Sequence, residues 1–80
     1  MNFDDIEWER EDDKIIIFHP KKLSFFELNN DVGSDIWELL VKKEHIDKIV
    51  DFISEKYAQT KSVVKKDVEE FVKEAKKTFS

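Results

Sequence analysis

Residues 25–40 read Phe-Phe-Glu-Leu-Asn-Asn-Asp-Val-Gly-Ser-Asp-Ile-Trp-Glu-Leu-Leu, and this stretch decides the fold. It begins as a short aromatic strand, passes through a turn rich in Asn and Asp, and continues as an amphipathic helix. Asn30 or Asp31 suits the N-cap of this helix, which we expect to run to Lys42. The stretch holds no catalytic grouping, but it sets a strand edge beside a helix, an arrangement with which small domains capture extended peptides.

Two more strands are predicted on the N-terminal side of this stretch. The sequence alternates weakly over residues 3–10, is β-branched and aromatic over residues 14–18, and is aromatic again over residues 23–28. Residues 19–22 predict a turn, because Pro20 has a fixed φ and no amide hydrogen to donate to a sheet. The short connections between the three strands indicate an antiparallel meander.

The rest of the chain is predicted to be helical. Apolar residues spaced three or four apart predict a second helix over about residues 44–57 and a third helix, capped by Ser62, over about residues 62–78. Three strands followed by three helices form an α+β arrangement that resembles a winged helix-turn-helix with its sheet first. We expect residues 1–80 to form a single domain, because a chain of this length is one domain at most.

Composition and charge exclude several classes of function. The 80 residues include no Cys and carry a net charge of −5. The lack of Cys rules out disulfides and thiolate chemistry and fits a reducing cytoplasm, where we expect the protein to act. The acidic start and the short apolar runs predict neither a secretory signal nor a membrane partner. The negative charge argues against a nucleic-acid partner, which would require a basic face.

Few residues suit catalysis or metal binding. His19 precedes Pro20, and His45 begins a helix, but neither has a Cys partner or the spacing of a zinc site. We expect both histidines to be solvated. The serines have no evident base, and Gly33 alone cannot form a phosphate-binding loop. The sequence therefore predicts a protein that is not an enzyme and uses no metal or cofactor.

Several motifs, taken in order, resemble those of the PqqD-like family. They are Phe-Phe-Glu-Leu-Asn at 25–29, Gly-x-x-Ile-Trp-Glu-Leu-Leu at 33–40, an Ile-rich second helix, and Asp67-Val68 followed by Phe71. This family contains the stand-alone recognition elements that bind precursor peptides in the biosynthesis of ribosomally made, modified peptides (RiPPs). The Cys-Asp-Gly segment of proteins in pyrroloquinoline quinone synthesis is absent. The aromatic third strand and Trp37 are more similar to recognition proteins of lasso-peptide pathways, which hand the precursor to a separate leader peptidase.

The resemblance implies a peptide-binding site between the third strand and the last helix. The leader segment of the precursor would add as a strand along the third strand and lie against that helix. The implied site residues are Leu23, Ser24, Phe25, Phe26, Glu27 and Leu28 on the strand, and Val64, Lys65, Asp67, Val68 and Phe71 on the helix. Lys65 and Lys66 would steer an acidic leader. The implied partners are the leader peptide and a modifying enzyme or leader peptidase.

Some alternatives stay open from the sequence. Phe25 either covers the second strand or lines the peptide groove. A winged-helix DNA-binding regulator is an alternative function, although acids interrupt the lysines of the third helix and no Arg is present there to read guanine. A non-catalytic docking subunit of a larger enzyme is another. The protein is expected to be a monomer or a weak homodimer, since an unfilled strand edge pairs readily with its own copy.

Overall fold

The computed structural model describes residues 6–79, in which a three-stranded antiparallel sheet precedes three helices. The elements are β1 (Glu7–Glu11), β2 (Lys14–His19), β3 (Ser24–Leu28), α1 (Asp31–Val41), α2 (Ile46–Lys56) and α3 (Lys61–Phe79). The strands lie in the order β1-β2-β3, so the predicted meander and the α+β class are confirmed. Residues 3–5 of the predicted first strand lie outside the described residues.

Side-chain alternation along the strands gives the sheet two different faces. The inner face turns toward the helices and carries Trp8, Arg10, Ile15, Ile17, His19, Ser24, Phe26 and Leu28. The outer face carries Glu7, Glu9, Glu11, Lys14, Ile16, Phe18, Phe25 and Glu27. Side chains along a strand alternate with a period of two, so the residues on each face follow directly from the pairing register.

His19 corrects one expectation, because its side chain is only 5% exposed. It follows Ile15 and Ile17 on the inner face, and the strand alternation therefore buries it. Its Nδ1 accepts a hydrogen bond from the Lys22 amide at 3.3 Å and so helps to shape the turn between β2 and β3. The other histidine, His45, is exposed as expected and precedes α2 without a capping side-chain hydrogen bond.

Local backbone conformation explains where elements begin. Leu23 has a φ of 49°, outside the extended region, so β3 begins at Ser24 and not at the predicted Leu23. Asn30 caps α1 by accepting a hydrogen bond from the Gly33 amide at 2.6 Å. A Cβ on Gly33 would lie 3.0 Å from the Asn30 Oδ1 atom, which accounts for a glycine in this first turn.

The ends of the helices differ slightly from prediction. The Val64 amide already donates to the Thr60 carbonyl at 3.1 Å, so Ser62 lies within the first turn of α3 and does not cap it. Helix α1 ends in a Schellman motif, and α2 ends with the corresponding bond from the Gln59 amide to the Ser54 carbonyl. Lys43 and Ala58 adopt the left-handed conformation that glycine usually adopts. These endings explain how the helices stop cleanly in a chain with one glycine.

The apolar residues form two neighbouring clusters. The first joins the three helices, and its buried members are Ile36, Ile49, Val50, Ile53, Val64, Val68 and Val72. The second joins the sheet to α1 and the end of α3, and its buried members are Ile6, Ile15, Ile17, Trp37 and Ala75. Within residues 6–79, no helix has the length and apolar character needed to span a membrane.

Candidate functional site

The structure contains an apolar groove between β3 and the C-terminal half of α3, which we call the groove. Its volume is about 210 Å³. It is lined by Phe26, Glu27, Leu28, Trp37, Phe71, Glu74, Ala75, Thr78 and Phe79. These residues come from three elements, because β3 and α3 form the walls and Trp37 of α1 reaches between them. The groove is therefore open along one side and apolar at its base.

Aromatic contacts hold one end of the groove in shape. The ring of Phe79 lies 5.0 Å from that of Phe26 in an edge-on arrangement and 5.2 Å from that of Trp37. At the same end, the Lys22 Nζ atom donates to the Thr78 carbonyl at 2.5 Å. These contacts tie the end of α3 to β3 and to the turn before it, so the two walls keep a fixed separation there.

The backbone of β3 borders the groove as an edge strand. It pairs with β2 on one side, and no strand within residues 6–79 pairs with its other side. An edge strand presents amide and carbonyl groups that an extended chain can pair with. An apolar groove beside an open strand edge can therefore bind a peptide through its backbone and one or two apolar side chains at once.

Acidic residues border the groove, but their side chains lie on different faces. Glu27 borders it from β3, while its side chain is on the outer face and pairs there with Lys14 at 3.1 Å. Glu74 makes no ion pair with any residue in the described part of the chain. Lys65, predicted to steer an acidic leader, lies instead beside α2, where it borders a depression with Asp47 and Asp51. The predicted basic rim is thus displaced from the groove.

The structure brings together four of the predicted site residues. Phe26, Glu27 and Leu28 of β3 and Phe71 of α3 line the groove. Ser24 lies on the inner face at the start of β3, where its hydroxyl donates a hydrogen bond to the Lys22 carbonyl at 3.0 Å. Leu23 is an exposed turn residue.

The other predicted residues lie elsewhere. Phe25 is on the outer face, where its ring lies 5.0 Å from that of Phe18, so it partly covers the second strand and does not line the groove. Val64 and Val68 are buried in the helical cluster because α2 packs over the N-terminal half of α3. Asp67 borders a separate depression between the helices.

Five groove residues were not among the predicted site residues. They are Trp37, Glu74, Ala75, Thr78 and Phe79. For the members on α3 the signal is the helical repeat, because positions 74, 75 and 78 follow Phe71 at intervals of three, four and seven residues. Ala75 and Phe79 continue the apolar spacing of three or four residues that predicts this helix. Both side chains pack against the sheet and also line the groove.

A buried carboxylate organises the scaffold behind the groove. Asp35 of α1 is 4% exposed and lies 2.9 Å from Arg10 Nη1, 2.7 Å from Lys56 Nζ and 2.5 Å from the Tyr57 hydroxyl. Burial alone would raise the pKa of Asp35, but the hydrogen bonds from Lys56, Tyr57 and Arg10 outweigh it and hold that pKa below its ordinary value. The cluster ties β1 to α1 and to the end of α2.

The same cluster keeps Tyr57 protonated. Burial, together with the hydrogen bond to Asp35, raises the pKa of Tyr57 to about 12. The hydroxyl therefore donates to the carboxylate throughout the neutral range. The cluster is filled by its own partners, and among the described residues no group of three or more acids and histidines is arranged to hold a metal ion.

The fold and the groove define a small α+β domain of winged-helix type with an open strand edge beside its last helix. Residues 14–78 match the family described as coenzyme PQQ synthesis protein D (PqqD), and the chain belongs to this PqqD family. No curated protein sequence matches the chain. The solved structure of TbiB1 in complex with the TbiA(beta) leader peptide is similar, with a TM-score of 0.86 and 28% identity over 94% of this chain and 86% of that chain.

Proposed function

We propose that this protein binds the leader segment of a ribosomally made precursor peptide. The leader adds as a strand to the open edge of β3, and its apolar side chains enter the groove against Phe71 and Ala75 of α3. The observation that carries this proposal is the apolar groove beside an unpaired strand edge. Membership of the PqqD family and similarity to a structure that contains a leader peptide support it.

The contacts available at the groove set the affinity to be expected. A net gain of about 0.5–1.5 kcal/mol for each backbone hydrogen bond makes a few such bonds a modest contribution. Burial of one aromatic or large aliphatic anchor adds roughly 1.5–3 kcal/mol. A micromolar complex needs about −8 kcal/mol after the cost of ordering the peptide, so a leader that makes several backbone hydrogen bonds must also bury more than one apolar side chain. The backbone contacts tolerate many sequences, so specificity comes from the anchors in the groove.

The protein acts as a non-catalytic carrier in the cytoplasm. It delivers the bound precursor to a modifying enzyme or a leader peptidase. Holding the leader on a protein that also meets the enzyme raises the effective concentration of the substrate at the active site. The catalytic groups then belong to the partner enzyme, and this chain contributes recognition.

Fluorescence polarisation tests the proposal directly. The labelled leader of the precursor encoded beside this gene is titrated with the protein, and we expect saturable binding at micromolar concentration. Leu28→Asp sets a charge in the groove and should weaken binding by at least about tenfold, because burying a charge without a partner is costly. Val63→Asp is the matched control, since Val63 is exposed on α3 and does not line the groove.

Two results would argue against this function. One is the absence of binding up to about a millimolar by a protein that is folded by circular dichroism, since such weak affinity is worth only about −4 kcal/mol. The other is equal loss of affinity in Leu28→Asp and Val63→Asp, which would show that the groove is not the binding site.

A further inference from the structure

The outer face of the sheet carries an exposed apolar strip. Phe25 is 73% exposed, and its ring packs on Phe18 at 5.0 Å with an angle of 47° between the rings. Ile16 lies next to Phe18 on β2, and the three side chains border a shallow depression on this face. A large aromatic side chain left in solvent on the outer face of an edge strand contributes little to the stability of the fold. Contiguous apolar patches with a polar rim commonly mark protein interaction sites.

The strip is bordered by uncompensated negative charge. Glu7, Glu9 and Glu11 project from β1 onto the outer face, and none of them pairs with a cation in residues 6–79. Within the described strands, the cation on this face is Lys14. Its Nζ atom lies 3.1 Å from a Glu27 carboxylate oxygen, so it is already paired. The outer face therefore combines an apolar centre with an excess of three acids on one side.

This charge distribution selects among possible occupants. A second copy of the chain that docked face to face would set the β1 acids against either the β1 acids or the apolar strip of its partner, and neither arrangement gives those acids an unpaired cation from the described strands. A nucleic acid or an anionic membrane would be repelled in the same way. A protein surface that presents an apolar side chain flanked by Lys or Arg would satisfy both the apolar strip and the acids.

We propose that the outer face is the docking surface for the enzyme that processes the bound precursor. This inference rests on the proposed function, since it concerns the partner that receives the leader. The groove opens on the inner side of β3 and the apolar strip lies on its outer side, so one strand borders both sites. The peptide and the enzyme can therefore bind at the same time without competing for the same side chains.

The test uses biolayer interferometry with the purified processing enzyme encoded beside the precursor gene. Phe25→Ser should weaken enzyme binding about tenfold or more, as expected for an aromatic anchor at the centre of an interface. Glu9→Lys should weaken it severalfold and reduce its sensitivity to salt, because it removes an attractive charge. Val63→Ser is the control for loss of an exposed apolar side chain elsewhere.

Leader binding is measured on the same variants, which separates the two proposals. Enzyme binding lost in Phe25→Ser, with leader affinity unchanged, supports the outer face as the docking surface. Enzyme binding unchanged in both Phe25→Ser and Glu9→Lys would overturn it, as would a wild-type protein that binds leader but not enzyme. A dimer of this chain that disappears in Phe25→Ser would also overturn it, since the strip would then be covered by a second copy. A wild-type protein that binds no leader would instead contradict the proposed function.

Discussion

The two halves of α3 share one apolar spacing but meet different neighbours. In the N-terminal half, Val64 and Val68 are enclosed by α1 and α2. In the C-terminal half, Ala75 and Phe79 pack against the sheet and also line the groove. The difference teaches that an apolar stripe predicts which face of a helix is covered, while the elements around it determine whether that cover is complete. The half with two helical neighbours is core, and the half beside the sheet edge both packs and borders the groove.

The largest expected effect comes from a substitution in the N-terminal half of α3. Val68 is 0% exposed, so Val68→Asp would bury a carboxylate among aliphatic side chains. We expect a loss of more than about 4 kcal/mol in the free energy of unfolding, enough to unfold a domain of this size. Circular dichroism and urea titration measure it, with the exposed Val63→Asp as the control. A Val68→Asp variant with the wild-type urea midpoint would contradict the position of Val68 in the core.

The second prediction concerns the ion cluster that anchors the scaffold of α1 and α2. Asp35→Asn should lower the free energy of unfolding by roughly 2–3 kcal/mol, because Arg10 and Lys56 lose a buried anionic partner while both still reach solvent. Asp51→Asn is the matched control, since its pair with Lys61 is exposed and such pairs contribute at most about 1 kcal/mol.

This cluster also predicts a pH dependence. The native pKa of Asp35 lies below the ordinary value of 3.8, so the native state releases this proton more readily than the unfolded chain does. Its stabilising contribution is complete above that ordinary value and is lost as the pH falls through the lower native pKa. Urea titrations between neutral pH and acid should therefore show a smaller loss of stability in Asp35→Asn than in the wild type. Parallel curves would contradict the assignment.

A smaller effect is expected in the C-terminal half. Phe79→Ala should cost about 1–2 kcal/mol, less than a fully buried Phe, because the ring is half-buried at the end of the helix. It should also widen the groove beside Phe26 and Trp37, so leader affinity should fall more than stability does. Urea titration and fluorescence polarisation measure the two effects. Phe52→Ala, at an exposed position of α2, is the control and should change neither stability nor leader affinity.

The sequence predicts the fold well because its signals are local. The strands, the turn at Pro20 and the capping role of Asn30 each depend on neighbouring residues, and the structure contains all of them. The boundaries shift by one or two residues where backbone conformation intervenes, as at Leu23 and Ser62. His19 is misjudged because proximity to Pro20 suggests exposure, while the alternation of β2 buries its side chain.

Only part of the groove can be predicted from the sequence, because one of its walls depends on tertiary packing. The β3 wall follows from strand alternation, which assigns Phe26 and Leu28 to one face. The α3 wall depends on where the helix crosses the sheet, and no local pattern specifies that crossing. The helix meets β3 near its C-terminal end, so the wall runs from Phe71 to Phe79 and not from Val64 to Phe71. The predicted wall, based on the Asp67-Val68 motif, therefore lies about two turns closer to the N-terminus of α3 than the wall of the groove.

The smallest expected effect sharpens the contrast between the two ends of α3. Lys65 is exposed and borders Asp47 and Asp51 of α2, away from the groove. Lys65→Gln should therefore leave leader affinity within about twofold and stability within about 0.5 kcal/mol, as is usual for a surface substitution. Glu74→Gln, which changes a charge at the groove itself, is the matched comparison and should alter the salt dependence of leader binding. If Lys65→Gln instead weakened leader binding and Glu74→Gln did not, the leader would have to cross the N-terminal half of α3, and the proposed leader site beside the C-terminal half would be wrong.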